Sequence, residues 1–205
     1  MKGIFQFLKH GSRRTPTPTR VILDAVASAV PDYPWFGIVE GDELQQGDIF
    51  ENSHVYFPTD DLTPVAEKLT LKWEERDLIV VSQSCDLAKD QKNIDQVSLC
   101  PLWRLSEFKS GHLLSKIENL EKVRKGQMPR YHMIASSNIS GFEREIRVID
   151  LQLVYSLPVS LLRAKAAKEK HLRLLPPYRE HLSQSFARVF MRVGLPIDIP
   201  KFAKN

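Results

Sequence analysis

The stretch that most constrains this 205-residue chain is Arg76-Asp-Leu-Ile-Val-Val-Ser-Gln-Ser-Cys85-Asp86. Leu78 to Val81 is an unbroken apolar, largely β-branched run, the pattern of a central strand buried on both faces. The run then changes abruptly to Ser82, Gln83, Ser84, Cys85 and Asp86. Small polar groups, a thiol and a carboxylate therefore gather where the strand emerges from the core. A rigid scaffold carrying reactive groups at its rim is one way to build a site. The plainer reading is a strand running into a turn, with Asp86 bonding its own backbone.

The flanking segments read as partners for that strand. Pro34, Trp35 and Phe36 suggest a loop anchored by aromatics, followed by the turns Gly41-Asp42 and Gly47-Asp48. Ile49 to Phe57 is an expected strand with Val55 and Phe57 on one face, and 59–64 is a loop. Leu69, Leu71 and Trp73 alternate with polar Thr70, Lys72 and Glu74, the period of a half-buried strand. It leads through Glu75 into the central strand, so the two are placed to pair as a hairpin. A charged loop runs from Asp86 to Asn93, and Gln96 to Leu102 is the next strand, with Pro101 at its end or on an edge.

Leu105 to Lys125 predicts a helix with Leu113, Ile117 and Leu120 on its apolar face, divided at Gly111. Its pairs Glu118–Lys122 and Glu121–Lys125 have favourable spacing. Strands are expected at Arg130–Ala135 and Glu145–Tyr155, and Pro158 opens a short helix reaching Lys168. Arg179 to Val193 is an amphipathic helix with the stripe Leu182, Phe186, Val189 and Val193, stopped by Gly194 and Pro196. Its other side carries His181, Gln184, Arg188 and Arg192.

Residues 1–20 form a basic arm, its part from 8 rich in proline and threonine and without hydrophobic period; Val21 to Val30 is a short helix stopped by Pro31. Residues 21–205 then make a single α+β domain, with a small curved antiparallel sheet or barrel at about 46–156 and a helical extension at 157–205. An apolar content of 42% supports a real core. No stretch approaches the ~20 apolar residues that cross a bilayer, the N-terminus is a poor secretory signal, and two cysteines suggest no disulfide framework. The cytoplasm is the expected compartment. A net charge of +4 and a pI near 9 lean toward anionic partners.

Phosphate loops, Cys-x-x-Cys pairs, His-x-x-x-His pairs and Gly-x-Ser-x-Gly elbows do not occur in the sequence, so no cofactor or ordinary zinc chemistry is implied. The order Gly47-Asp48-Ile49, Arg76-x-x-x-Val80-Val81-Ser82 and Val97-x-Leu99-Cys100-Pro101 resembles the MazF/PemK-type toxins over residues 46–103. Asp150-Leu-Gln-Leu-Val-Tyr-Ser is similar in kind to their downstream strand. The resemblance implies an SH3-like barrel that cleaves single-stranded RNA without a metal, with an antitoxin as protein partner and a homodimer as the assembly. It also implies that Arg76 works on the scissile phosphate. Attack of a ribose 2′-hydroxyl on its own phosphate builds negative charge, which a guanidinium stabilises through paired hydrogen bonds. The family's hydroxyl after the proline-containing strand end is missing: Leu102 and Trp103 follow Pro101.

An acid–base partner for Arg76 is then required. Asp86 and His132 are the candidates, and His132 is the better one, because Asp86 lies up to ~30 Å along an extended strand. Cys85 supports a different reading, a nucleophile given a nearby histidine, or a soft-metal site with Cys100 and a histidine. Arg179, Arg188 and Arg192, with Lys201, Lys204 and the basic arm, make a candidate phosphate-binding surface, and Trp103, Tyr131 and Tyr178 are candidates for stacking bases. The plainer readings are a surface Arg76 paired with Glu74 or Glu75, a strand histidine, a buried thiol and a solvated helix face. The function classes left open are an RNA-cleaving toxin, a non-catalytic nucleic-acid- or protein-binding module, and a cysteine enzyme at Cys85.

Overall fold

The computed structural model describes residues 33–58, 71–88 and 94–191. The basic arm, the segment 21–30, the loop 59–64, Arg192, the residues that stop the last helix, and Lys201 and Lys204 lie outside the described residues.

The central run behaves as its composition dictates. It ends β3 (Leu71–Val80), and Leu78, Ile79, Val80 and Val81 are all buried. Successive side chains of a strand point to opposite faces, and the two faces here meet different cores. Ile79 and Val81 join Ile49, Cys100, Leu102 and Ile149 on the first face. Leu78 and Val80 join Phe50, Val55, Val97 and Leu99 on the second. Burial of such side chains contributes about 1.5–3 kcal/mol each.

Around β3 an open antiparallel sheet is built from β1 (Phe36–Val39), β2 (Asp48–Pro58), β4 (Gln96–Arg104), β5 (Tyr131–Ile134), β8 (Arg147–Asp150), β9 (Tyr155–Pro158) and β10 (His171–Leu174). The order is β1-β10-β2-β3-β4-β8-β5, with β9 also paired to β4. Of the two expected forms, sheet or barrel, this is an α+β domain with the open sheet. A separate hairpin pairs β6 (Ser137–Ile139) with β7 (Phe142–Arg144). Helices α1 (Ser84–Leu87), α2 (Ile117–Arg124), α3 (Val159–Ala166) and α4 (Tyr178–Phe190) complete the described fold. Tyr178 and Leu182 of α4 cover the first face, while Leu87 of α1 and Leu162 and Ala166 of α3 cover the second. A third cluster, Leu114, Val123 and Val148, seats α2.

Several expectations are corrected. Leu71 to Val80 is one strand, not two segments folded on each other, because no turn residue interrupts Glu74-Glu75-Arg76; its hairpin partner is β2. The ribbon formed by Ser53–Pro58 and Leu71–Arg76 runs past the end of β4, whose pairing with β3 stops at Asp77. Trp73 on that ribbon is consequently exposed rather than half-buried. Phe36 belongs to a strand, not a loop, while Trp35 is anchored by stacking on Tyr178 at 3.6 Å. Pro101 is internal to β4, at the point where that strand changes partner from β9 (Gln96–Leu99) to β8 (Leu102–Arg104). Pro101 is paired with Leu78 of β3, but on the other edge of β4 neither β8 nor β9 is registered against it, so this is the point of the strand where a proline interrupts the least pairing.

The segment 105–125 is not one helix. Two 3-10 turns, Leu105–Glu107 and Leu113–Ser115, precede α2, with Gly111 at φ 97° between them and His112 Nδ1 capping the Leu114 amide. The break moves the buried positions to Leu114 and Val123 and leaves Leu113 and Ile117 exposed. The expected strand 145–155 ends at Asp150, and both its faces are buried.

Strand β2 carries one local irregularity. Phe50 pairs with Leu78 but Ser53 pairs with Arg76, which makes a bulge, with Asn52 at φ 49°. The extra residue brings Phe50 and Val55, five apart, onto the same face and turns Glu51 outward from the ladder. The Asn52 amide is held by Asp77 Oδ1 at 3.0 Å.

Candidate nucleic-acid interface

Arg76 is the first residue of β3 beyond its pairing with β4. Register places Trp103 of β4 beside it on the second face, and the guanidinium lies over the indole ring, 4.8 Å from its centroid. Arg76 also forms an ion pair with Glu74, and its charge acts on the nearby Tyr155 hydroxyl. Tyr155 is set by β9, packs edge-on against Phe57 at 6.0 Å, and belongs to the margin of the second-face core. Burial raises its pKa against the opposing charge of Arg76, with Glu74 and Asp150 adding to the rise. Tyr155 therefore stays a neutral hydroxyl. The Arg76 Nε has no hydrogen-bond partner.

The cluster continues onto β8 and β5. Asp150 is buried and takes a two-pronged contact from Arg130, with Nε–Oδ1 at 3.0 Å and Nη2–Oδ2 at 2.6 Å. Arg130 in turn lies over Tyr131 at 5.1 Å. Two residues singled out separately in the sequence, Arg76 and Trp103, are thus brought together. Tyr155 could not be singled out, because it lies some fifty positions from Trp103 and meets Arg76 only through the partner change of β4.

His132 is not brought to Arg76. It pairs with Ile149, whose other cross-strand partner is Leu102, and both belong to the first-face core, the side opposite Arg76. Burial, with a smaller contribution from His181, lowers its pKa to about 4. The folded state thus favours the neutral ring, which contributes stability above the unfolded value near 6.5 that is lost as pH falls toward 4. Urea melts should show about 3 kcal/mol disappearing across that window, and His132→Gln should flatten the dependence. An unchanged pH profile in that variant would count against the assignment.

Asp86 and Cys85 sit in α1, at the other end of β3 from Arg76. The polar residues there tie the chain together: Ser82 Oγ accepts from the Ser98 amide, Ser84 Oγ from the Gln46 amide, and Gln83 donates to Ser183 of α4. The Cys85 thiol is exposed and lies 3.7 Å from Asp86 Oδ1. A carboxylate is a far weaker base than a thiolate and does not activate it. Cys100 is buried in β4, where burial, aided by Asp150, pushes its thiol up to about 12. Among the described residues no group of three or more His, Cys, Asp or Glu side chains is placed to hold a metal ion.

The helix arginines stand apart. Arg179 is engaged by Glu180 and Gln45, and Arg188 is exposed on α4, which covers the face away from Arg76. Arg192 lies outside the described residues. Tyr178 is buried against Trp35.

Two charged clusters went unread in the sequence. Fully buried Asp48 holds Arg173 through both oxygens and accepts from the Gln45 amide at 2.8 Å. Glu51 on the bulge holds Arg144 and the buried Arg147, at 2.6 and 3.0 Å. The signal available was small: an acidic residue opening a strand and another inside it. No family model and no curated protein sequence matches the chain. Among the described residues no helix is long and apolar enough to cross a membrane.

Proposed function

We propose that this is a nucleic-acid-binding protein. More particularly, it holds single-stranded RNA across Arg76, Trp103 and Tyr155 without cleaving it there. The observation that carries this reading is the Arg76 guanidinium laid on the Trp103 ring. Stacking fixes the plane of the fork while leaving its edge for an anion, and that edge now meets the half-exposed Glu74 carboxylate. A phosphate takes the same geometry. Trp103, Tyr155 and Phe57 offer rings beside it, and base stacking on such rings contributes about 1–3 kcal/mol per base. The excess positive charge of the chain acts in the same direction. Binding is favoured over cleavage because the two acid–base candidates are elsewhere, His132 on the opposite face and Asp86 at the far end of β3.

Anisotropy of a labelled single-stranded RNA at ~50 mM salt tests this. Arg76→Ala should weaken binding about tenfold or more, and Glu74→Gln, which removes the competing carboxylate, should tighten it several-fold. If neither changes the affinity, or the RNA does not bind at all, the reading fails. Products on a gel in EDTA that vanish in Arg76→Ala would instead favour the toxin-like nuclease, with Tyr155 as the hydroxyl nearest Arg76.

A further inference from the structure

The ribbon formed by Ser53–Pro58 and Leu71–Arg76 has two unlike faces. Val55 and Phe57 turn toward the second-face core, and register places Glu74 and Arg76 on the same side. The alternate residues, His54, Tyr56, Trp73 and Glu75, therefore share the opposite face. Tyr56 stands directly across from Trp73, and His54 across from Glu75. Tyr56 is 53% exposed and Trp73 56%, and His54 meets the indole edge-on at 4.6 Å. Apolar side chains exposed singly are ordinary, but cross-strand neighbours make a contiguous aromatic surface. A cross-strand aromatic pair contributes about 0.2–1 kcal/mol to the ribbon itself, which does not require both rings to stay more than half exposed.

Charge selects what this surface takes. The Glu75 carboxylate is 58% exposed and lies 3.6 Å from His54 Nε2, beyond hydrogen-bonding distance. Lys72 and Arg76, the lysine and arginine of the described ribbon, alternate onto the other face. Toward the sheet the next residue on this face is Asp77, nearly buried and already paired with Arg104 at 3.5 Å. A phosphate backbone would thus meet an unopposed carboxylate, whereas a cation would meet an indole and a carboxylate together. The chain completes that combination once on its own second face, where Arg76 lies over Trp103 at 4.8 Å and pairs with Glu74. Trp73 and Glu75 repeat the indole and the carboxylate without the guanidinium. The backbone beside them is open as well. Strand β10 pairs with β2 only at Asp48 and Ile49, so among the described strands none covers the outer edge of Ser53–Pro58. Such an edge receives an extended chain.

We propose that this face docks an arginine-bearing extended segment of a partner protein, its guanidinium laid over Trp73 with the fork on Glu75. The site uses none of Arg76, Trp103 and Tyr155, so it stands or falls separately from RNA binding there.

The test is the anisotropy of a fluorescein-labelled octapeptide of alternating arginine and serine, titrated with the full chain at ~50 mM salt. It should bind with a dissociation constant below about 0.2 mM. The same peptide with glutamate in place of arginine should bind at least about tenfold more weakly. Glu75→Gln, at an exposed position that does not threaten folding, should weaken binding about fivefold. Trp73→Leu should weaken it about tenfold, with circular dichroism confirming the fold. No binding, equal binding of the glutamate peptide, or an unchanged affinity in Glu75→Gln would overturn the proposal. A dimer in light scattering that Trp73→Leu dissolves would overturn it in favour of a second copy of the chain. Loss of RNA affinity in Trp73→Leu would overturn it in favour of nucleic acid.

Discussion

Asp48→Ala is expected to lower the stability of the fold by about 3–5 kcal/mol, the range for removing one partner of a buried ion pair. The carboxylate is wholly inaccessible, and it bonds both prongs of Arg173 and the Gln45 amide. Its loss leaves a nearly buried guanidinium without a counter-charge and frees the turn that opens β2. That turn is itself confined: Gly47 sits at φ +89°, and an added Cβ there would meet the Leu174 carbonyl at 3.1 Å. Since native domains hold only about 5–15 kcal/mol in total, the variant should show a much lower urea midpoint by circular dichroism, or fail to accumulate folded. Asp48→Asn keeps the shape and the bond from Gln45 and should fall between the two. A loss below about 1 kcal/mol for the alanine variant would mean that Arg173 is not held as described.

The second large effect belongs to Glu51. Burial opposes its ionisation, but the hydrogen bond and charge of Arg144, followed by those of Arg147, outweigh this and set its pKa below the usual 4.5. Arg147 is 1% exposed, two of its nitrogens have no partner, and burial lowers its pKa in turn. Glu51→Gln leaves that cation in the interior without its ion-pair partner, with only the charge of Asp77 still acting on it, and should cost about 3 kcal/mol, toward the lower end because Glu51 is partly exposed. A carboxylate whose pKa is depressed on folding stabilises above its unfolded pKa and loses that contribution as pH falls through the folded one. The gap between wild type and Glu51→Gln should therefore be full at pH 7 and close below about pH 4.5. Arg147→Met, by contrast, should be nearly neutral or stabilising, because it removes the desolvated charge and fills the same space. If the methionine variant proves the less stable of the two, the buried cation is serving the fold in a way that the pair geometry does not account for.

Much of this architecture was legible in the residues. The apolar run Leu78–Val81 marks the central strand because only a strand covered on both faces tolerates four such side chains in a row. Pro158 marks the start of α3, and the spacing of Leu182, Phe186 and Val189 marks the buried stripe of α4, because helix period and proline geometry are local properties. Reading failed where tertiary structure decides. Leu113 and Ile117 have helical spacing yet face solvent, since a glycine at positive φ and a histidine cap break the helix and hand burial to Leu114 and Val123. Strand β10, with alternating His171, Leu172, Arg173 and Leu174, lies in the stretch expected to be a helical extension. Its place in the sheet is decided by pairing with β1 and β2, where Asp48 and Phe50 meet its polar members.

The candidate site divides in the same way. The sequence by itself determined that Leu78 to Val81 is a buried central strand with Arg76 shortly before it, and that Ser82 to Asp86 collects polar groups just after it. Only the tertiary structure decided which of these meet. Register puts Arg76, Trp103 and Tyr155 on one face and His132 on the other, and a one-residue bulge in β2 sets which residues face which core. Side-chain direction alternates at every residue of a strand, so the partners of a strand residue follow from pairing and register, which arise between segments distant in the chain.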